Sequence, residues 1–411
     1  MKILFIHQNF PGQFKHLAPA LVAQGHEVVG FALKNAAPSN WNGVRLITYQ
    51  LARGNSANPH PWLVDLETKI IRAEAVLRAA VKLQQEGFNP DVIIAHPGWG
   101  ESLFLKNLWP KAKLAIYCEF FYHAKEFDVG FDPEFPSDCL ETASRLQLKN
   151  ANNLLHFDVA DAGISPTHWQ ASSFPLPFRD KITVVHDGID TEHIKPNPNV
   201  SLTLNNQLTL TRADEVITFV SRTLEPYRGY HIFMRCLPEL LARRPNVRVL
   251  IVGNDESPYG ARPENGQTWR EIFFNEVRSR FAPGDLSRIH FLGRIRYDHF
   301  ISLLQLSTVH VYLTYPFVLS WSLIESMSAG CTVVASNTQP LHEAIKHNDT
   351  GRLVDFFNQA DWIEQICDLL EHPEERQRLS QNARAFAVAN YDLKTVCLPQ
   401  QLAWVNQLCS A

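Results

Sequence analysis

The chain lacks most of the features that announce a function at first sight. No stretch approaches the ~20 consecutive apolar residues of a membrane span. The opening Lys2-Ile3-Leu4-Phe5-Ile6 is too short, and too soon followed by polar residues, for a signal peptide, so the expected compartment is the cytoplasm. There is no Asp-x-Asp, no P-loop and no GxGxxG after the first apolar run. A carboxylate-bound metal holding a diphosphate is therefore not expected. Seven cysteines (118, 139, 236, 331, 367, 397 and 409) lie far apart, without CxxC or Cys/His ligand spacing. An odd number does not close a disulfide set, and the expectation is reduced, buried thiols. Charge of one sign is also missing: Lys+Arg 38 against Asp+Glu 42 gives a net −4, which implies no basic face for nucleic acid. Any grip on an anion must be local.

What is present is ordinary globular material, 411 residues with 45% hydrophobic, 19% charged and 11% aromatic. That length exceeds what one hydrophobic core usually serves, and two domains are expected. Short runs rich in Val, Ile, Leu and Phe alternate with segments of helical period, the pattern of βαβ units around buried parallel sheets. A first series runs through strands at 2–7, 27–33, 44–49, 91–96, 113–120, 162–166 and 181–188. Its helices are expected near 14–24, 63–86, from about 100, and 138–153. A second series has strands at 216–222, 247–253, 289–294, 309–316 and 331–336, with helices near 230–243, 268–281, 297–306 and 320–329. The polar stretch 195–215, with two prolines and four asparagines, reads as a linker. The fold class is α/β, two Rossmann-like doubly wound domains over 1–195 and 214–391. The C-terminal residues, about 392–411, form a helix expected to return to the first domain. Open parallel sheets bind ligands outside the carboxyl ends of their strands, so the site is expected in a cleft between the domains.

The informative residues follow strands. Arg222 and Arg228, six apart, straddle a Pro-containing turn, where guanidinium groups suit an oxyanion or diphosphate; two solvated surface arginines would read the same. In the segment 315–336, Ser320 or Ser322 caps a helix, amides at 319–321 point at an anion, and Glu325 is placed to accept from ribose hydroxyls. An exposed helix carboxylate is the bland alternative. Gly12, between the first strand and helix, lets a ligand approach the backbone or merely makes a turn. His96 ends a buried strand before Pro97-Gly98-Trp99-Gly100, where it either meets substrate or packs structurally. The run from Glu119 to Pro136 interleaves aromatics and carboxylates, which suits a hydroxyl-rich acceptor or a plug under a loop.

The doubled α/β layout, SRTLEPYRG (221–229), SWSLIESMSAGCTVVAS (320–336) and HDGID (186–190) resemble the retaining glycosyltransferases of family four, which have the GT-B fold. HQNFPGQFKHLAPALVAQGHEV (7–28) and VGFDPEFP (129–136) resemble a bacterial subgroup associated with polysaccharide or glycolipid assembly. The resemblance implies that Arg222 and Arg228 grip the donor diphosphate and that Glu325 holds the ribose. By the same resemblance Leu319 and Ser320 meet the phosphates, while Gly12 forms the N-terminal glycine turn and His96 lies near the reacting sugar. Backbone around Gly293, Arg294 and Ile295 would read the base. Three positions depart from the family pattern: Phe317 stands where the first glutamate of Glu-x7-Glu contacts the donor sugar, a glycine near Ser320 is replaced, and Glu119 stands at a position often histidine. The implied reaction is metal-independent transfer, with retention, from a nucleotide-diphosphate sugar to an acceptor hydroxyl. No cofactor and no nucleic-acid partner are implied, and membrane contact would be peripheral. A sugar-nucleotide epimerase and a non-catalytic glycosyltransferase-like scaffold are the competing readings.

Overall fold

The computed structural model describes residues 1–33, 39–137, 139–205, 207–256, 260, 262–263 and 266–410. The chain divides into two compact units, Met1–Asp187 with Lys394–Ala411, and Gly188–Leu393.

Unit 1 is built on β1 (Lys2–Ile6), β2 (Glu27–Leu33), β3 (Asn40–Trp41), β4 (Val44–Tyr49), β5 (Val92–Ala95), β6 (Lys113–Tyr117), β7 (Ala162–Ser165) and β8 (Ile182–Val184). Its helices are α1 (Leu17–Ala23), α2 (Val64–Gln85), α3 (Leu105–Leu108), α4 (Leu140–Val159) and α5 (His168–Ser172). The strand order is β3-β4-β2-β1-β5-β6-β7-β8, parallel except for the two-residue β3. Alternation along β1 sorts the core into two layers, as a period of two requires. Leu4 and Ile6 join Val29, Phe31, Ile93 and Ile116 against Val76 and Leu83 of α2. Ile3 and Phe5 face the other way, onto Leu21 of α1.

Unit 2 opens with a hairpin, β9 (Ser201–Leu204) and β10 (Leu208–Thr211), followed by β11 (Val216–Thr223), β12 (Arg248–Asn254), β13 (Ile289–Gly293), β14 (Val309–Tyr312), β15 (Val333–Ser336) and β16 (Arg352–Val354). The last six form a parallel sheet in the order β13-β12-β11-β14-β15-β16. Its helices are α6 (Tyr230–Arg243), α7 (Trp269–Val277), α8 (Tyr297–Leu306), α9 (Trp321–Ala329), α10 (Gln359–Glu371) and α11 (Pro373–Tyr391).

Three expectations need correction. The stretch 195–215 is not a bare linker: Leu204 and Leu210 of the hairpin, with Val200 before it, are buried in the core of unit 2, and the division between units falls at Asp187/Gly188. Strand β16 was not anticipated, and the helix expected from about residue 100 is confined to the four residues of α3. Cys139 is exposed, while cysteines 118, 236, 331, 367 and 397 are buried and all six are free; the side chain of Cys409 lies outside the described residues. Among the described residues no helix is long and apolar enough to cross a membrane.

The last helix, α12 (Leu398–Ser410), belongs to unit 1, where Trp404, Val405 and Leu408 pack with Ile3, Phe5 and Leu17. Without α12 that layer would meet water. Trp404→Ala is expected to destabilise unit 1 by about 3–5 kcal/mol, the range for emptying a buried indole site. The check is a lowered urea midpoint for Trp404→Ala beside an unchanged one for an exposed control, Gln407→Ala.

Candidate functional site

In unit 2 the carboxyl ends of β11, β12 and β13 surround a cavity of about 800 Å³, with Arg222, Asn254, Glu256, Arg294, Ile295 and Tyr297 among its lining. Parallel pairing of these three strands brings their ends together. Arg222 and Arg294 are exposed, and among the described residues neither has a carboxylate partner. Arg296 is held by Asp298 at 2.9 Å. Two guanidinium groups without a carboxylate partner among the described residues, on one concave surface that also holds Glu256, suit an anion.

The two expected clamp arginines separate. Arg228 is buried and donates to Thr314 Oγ1 at 3.0 Å; like Leu319, Ser320 and Glu325, it is not among the residues lining the cavity. The turn that parts them depends on Gly229, whose φ is +67° and whose missing Cβ would come within 2.2 Å of Leu313. Inside the same turn Glu225 is fully buried, accepting from the Thr223 hydroxyl and from the Gly260 amide at 3.2 Å. The sequence analysis gave this carboxylate no role; its signal was a Glu just after a buried strand.

Glu325 lies in α9, 6% exposed, and accepts a 2.6 Å hydrogen bond from the Tyr297 hydroxyl. Ser320 caps α9, its Oγ accepting from the Ser322 amide at 3.3 Å. The Ser320 amide, expected to face an anion, donates instead to the Tyr312 hydroxyl at 3.2 Å. The Leu319 side chain joins the core, leaving only its backbone for a ligand. Phe317 is buried, its ring edge-on to Tyr227 at 5.7 Å, and Tyr227 lies 4.7 Å from Tyr315. Phe317 is therefore part of an aromatic packing cluster with Tyr227 and Tyr315.

Unit 1 holds a smaller pocket of about 180 Å³, lined by His96, Trp99, Tyr117, Glu119, Lys149 and Asn152 among others. His96 follows β5, and its Nδ1 accepts from the Gly98 amide at 3.2 Å. Burial lowers its pKa to about 4, so the ring is neutral at pH 7. A neutral imidazole accepting at Nδ1 carries its proton on Nε2, which lies 3.7 Å from Glu119 Oε2. His96 therefore carries a donor, not a base, at Nε2, an atom that is itself buried and without a hydrogen-bond partner among the described residues. His7, which the sequence analysis did not single out, sits 5.4 Å from the His96 ring. Its pKa is also lowered to about 4, first by burial and then by His96. Gly12 serves this ring: at φ +49°, a Cβ there would come 2.2 Å from His7 Nε2. The close approach that Gly12 allows in the structure is that of the His7 imidazole. Lys149 places its ammonium 3.7 Å from the centre of the Tyr122 ring, and Lys69 pairs with Asp65 at 2.6 Å.

The loop after Glu119 divides its work. Phe121 packs on Phe157 and Phe174, and Phe127 stacks between His123 and Trp169 at 4.3 and 4.8 Å. These rings plug; Glu119, Phe120 and Tyr122 line the pocket.

His7 and His96, neutral when folded and titrating near 6.5 when unfolded, confer stability fully present above pH 6.5 and lost progressively as pH falls towards 4. His96→Gln is expected to flatten that decline. Urea denaturation at pH 7.5 and 5 checks it; an equally steep decline in the variant would contradict the assignment.

Residues 24–194 match the family model described as glycosyl transferase family 4 group, and residues 203–386 match glycosyl transferases group 1. A D-inositol 3-phosphate glycosyltransferase of Corynebacterium efficiens is 29% identical over 207 residues, 50% of this chain and 46% of that protein. Spore coat protein SA of Bacillus subtilis is 26% identical over 243 residues, 55% of this chain and 58% of the relative. The chain thus spans about half the length of the curated relatives it matches. Among solved structures, a sucrose-phosphate synthase from Thermosynechococcus elongatus aligns over 100% of both chains at 16% identity with TM-score 0.76. Anabaena HepE in complex with UDP and glucose aligns over 99% of both at 18% identity with TM-score 0.69. At such identities the likeness shows the fold, which is GT-B. Two consecutive family matches, one on each Rossmann-like half of this fold, establish that the chain belongs to the family 4 glycosyltransferases.

Proposed function

We propose that the protein transfers a sugar from a nucleoside-diphosphate sugar to an acceptor hydroxyl, with retention and without a metal. The observation that carries this reading is the cavity at the ends of β11, β12 and β13, where Arg222 and Arg294 stand without carboxylate partners among the described residues. Charge growing on a departing diphosphate is stabilised by such fixed cations, which is the electrostatic work a divalent ion does elsewhere. Arg228, locked against Thr314, supports the turn and adds positive potential from behind it. Glu325 accepts from ribose hydroxyls, and backbone at Gly293 to Ile295 meets the base. The HepE structures, in complex with UDP and glucose and with UDP-glucose, favour a uridine donor. Retention follows the family, with attack on the face the diphosphate leaves and the diphosphate itself taking the proton.

The acceptor binds in unit 1, where His96 Nε2–H donates and Glu119 accepts within a pocket sized for one sugar ring. His96 positions a hydroxyl and does not deprotonate it. The acceptor class is a polysaccharide or glycolipid precursor, met in the cytoplasm or at a membrane surface. The second reading, a nucleotide-binding scaffold without turnover, is favoured by one feature: Phe317 offers no carboxylate to the donor sugar.

Thermal shift with UDP, GDP, ADP and TDP and their sugars, with and without EDTA, tests the donor site. One nucleotide is expected to raise the melting temperature whether or not EDTA is present, and Arg222→Ala to weaken its binding by about tenfold or more. No response to any nucleotide would overturn the reading. Turnover is tested by NMR of the product anomer: inversion would contradict retention, and binding without any donor consumption would select the scaffold.

A further inference from the structure

Tyr297 was not singled out in the sequence, yet it joins the cavity of unit 2 to its buried carboxylate. As the first residue of α8 it lines the cavity, about half of it exposed (52%). Its ring lies 5.8 Å from that of Phe300, which is buried one turn on, so the side chain is supported from below. Its hydroxyl reaches a residue 28 positions away in sequence, donating to Glu325 Oε1 at 2.6 Å. Partial burial and the Glu325 charge both push the phenol's pKa up, so it remains a donor at any working pH.

A carboxylate that is to read ribose must hold both oxygens in one orientation. A glutamate side chain does not do this alone, because its terminal torsion is broad. The Tyr297 hydroxyl on Oε1 restricts that torsion, and an ionised carboxylate, with about four lone-pair sites, can accept more than one donor. We propose that Tyr297 is a positioning residue of the nucleoside site: its hydroxyl pins the Glu325 carboxylate in the orientation that accepts from a ribose 2′-hydroxyl, while its ring forms the cavity wall. The inference rests on the proposed donor reading and names the group that gives the site its preference for ribose over deoxyribose.

Tyr297→Phe keeps the ring and removes only the hydroxyl. The probes are UDP, GDP and ADP with their 2′-deoxy counterparts, measured by calorimetry on the full chain. For the nucleotide that binds the wild type, Tyr297→Phe is expected to weaken the ribonucleotide about tenfold and the deoxynucleotide much less, shrinking the discrimination between them. In a Glu325→Gln background the same substitution is expected to add little, because the two residues act as one unit. An equal loss for both nucleotides, no change, or tighter binding in Tyr297→Phe would overturn the proposal. Failure of every nucleotide to bind the wild type would instead overturn the donor reading on which it rests. An unchanged melting temperature in Tyr297→Phe without ligand confirms that folding is not the cause.

Discussion

A parallel sheet buried on both faces has only one place left for chemistry. Because α2 covers one layer of the unit 1 sheet while α1 and α12 cover the other, the strands' side chains are spent on packing. What stays free is the set of loops leaving the carboxyl ends. The consequence is visible in both units: Arg222 lies at the carboxyl end of β11 and Arg294 follows β13, while His96 and Glu119 follow β5 and β6. Two of the strand-to-helix turns are tight enough to need missing side chains. Gly229 clears Leu313 and Gly12 clears the His7 ring, so each glycine is required by packing before any ligand arrives.

The two pockets differ in electrostatic character. In unit 2 the guanidinium groups of Arg222 and Arg294 are exposed and, among the described residues, without a carboxylate partner. In unit 1 burial has removed charge from His7 and His96, and Lys69 is matched by Asp65. A buried neutral imidazole with one nitrogen already accepting is a directional donor, suited to a hydroxyl more than to a phosphate. The division of labour proposed for the units follows from this contrast.

Phe317 contributes its ring to the packing of Tyr227 and Tyr315, at the turn that carries Arg228. Glu225, buried within that turn, bonds Thr223 and the Gly260 amide, which makes it a support of the turn.

Strands β2 and β4 and helices α6 and α8 end where the periodicity of the sequence ends, because each carries an uninterrupted hydrophobic pattern bounded by polar or turn residues. The hairpin of β9 and β10 was hidden by its asparagines, although leucines at 202, 204, 208 and 210 alternate as strands do. Local pattern determined which segments are strands and helices, that the sheets are parallel, and which residues follow strand ends. It also put Arg222, Glu325 and His96 on the list of chemical residues. Only tertiary structure decided what each one touches: that Arg228 turns inward to Thr314, that Gly12 makes room for His7, and that Tyr297 reaches Glu325. The reason is physical. Hydrophobic periodicity depends on neighbours three or four residues away, whereas hydrogen-bond partners and desolvation depend on residues brought together from distant parts of the chain, and no local pattern encodes which ones meet.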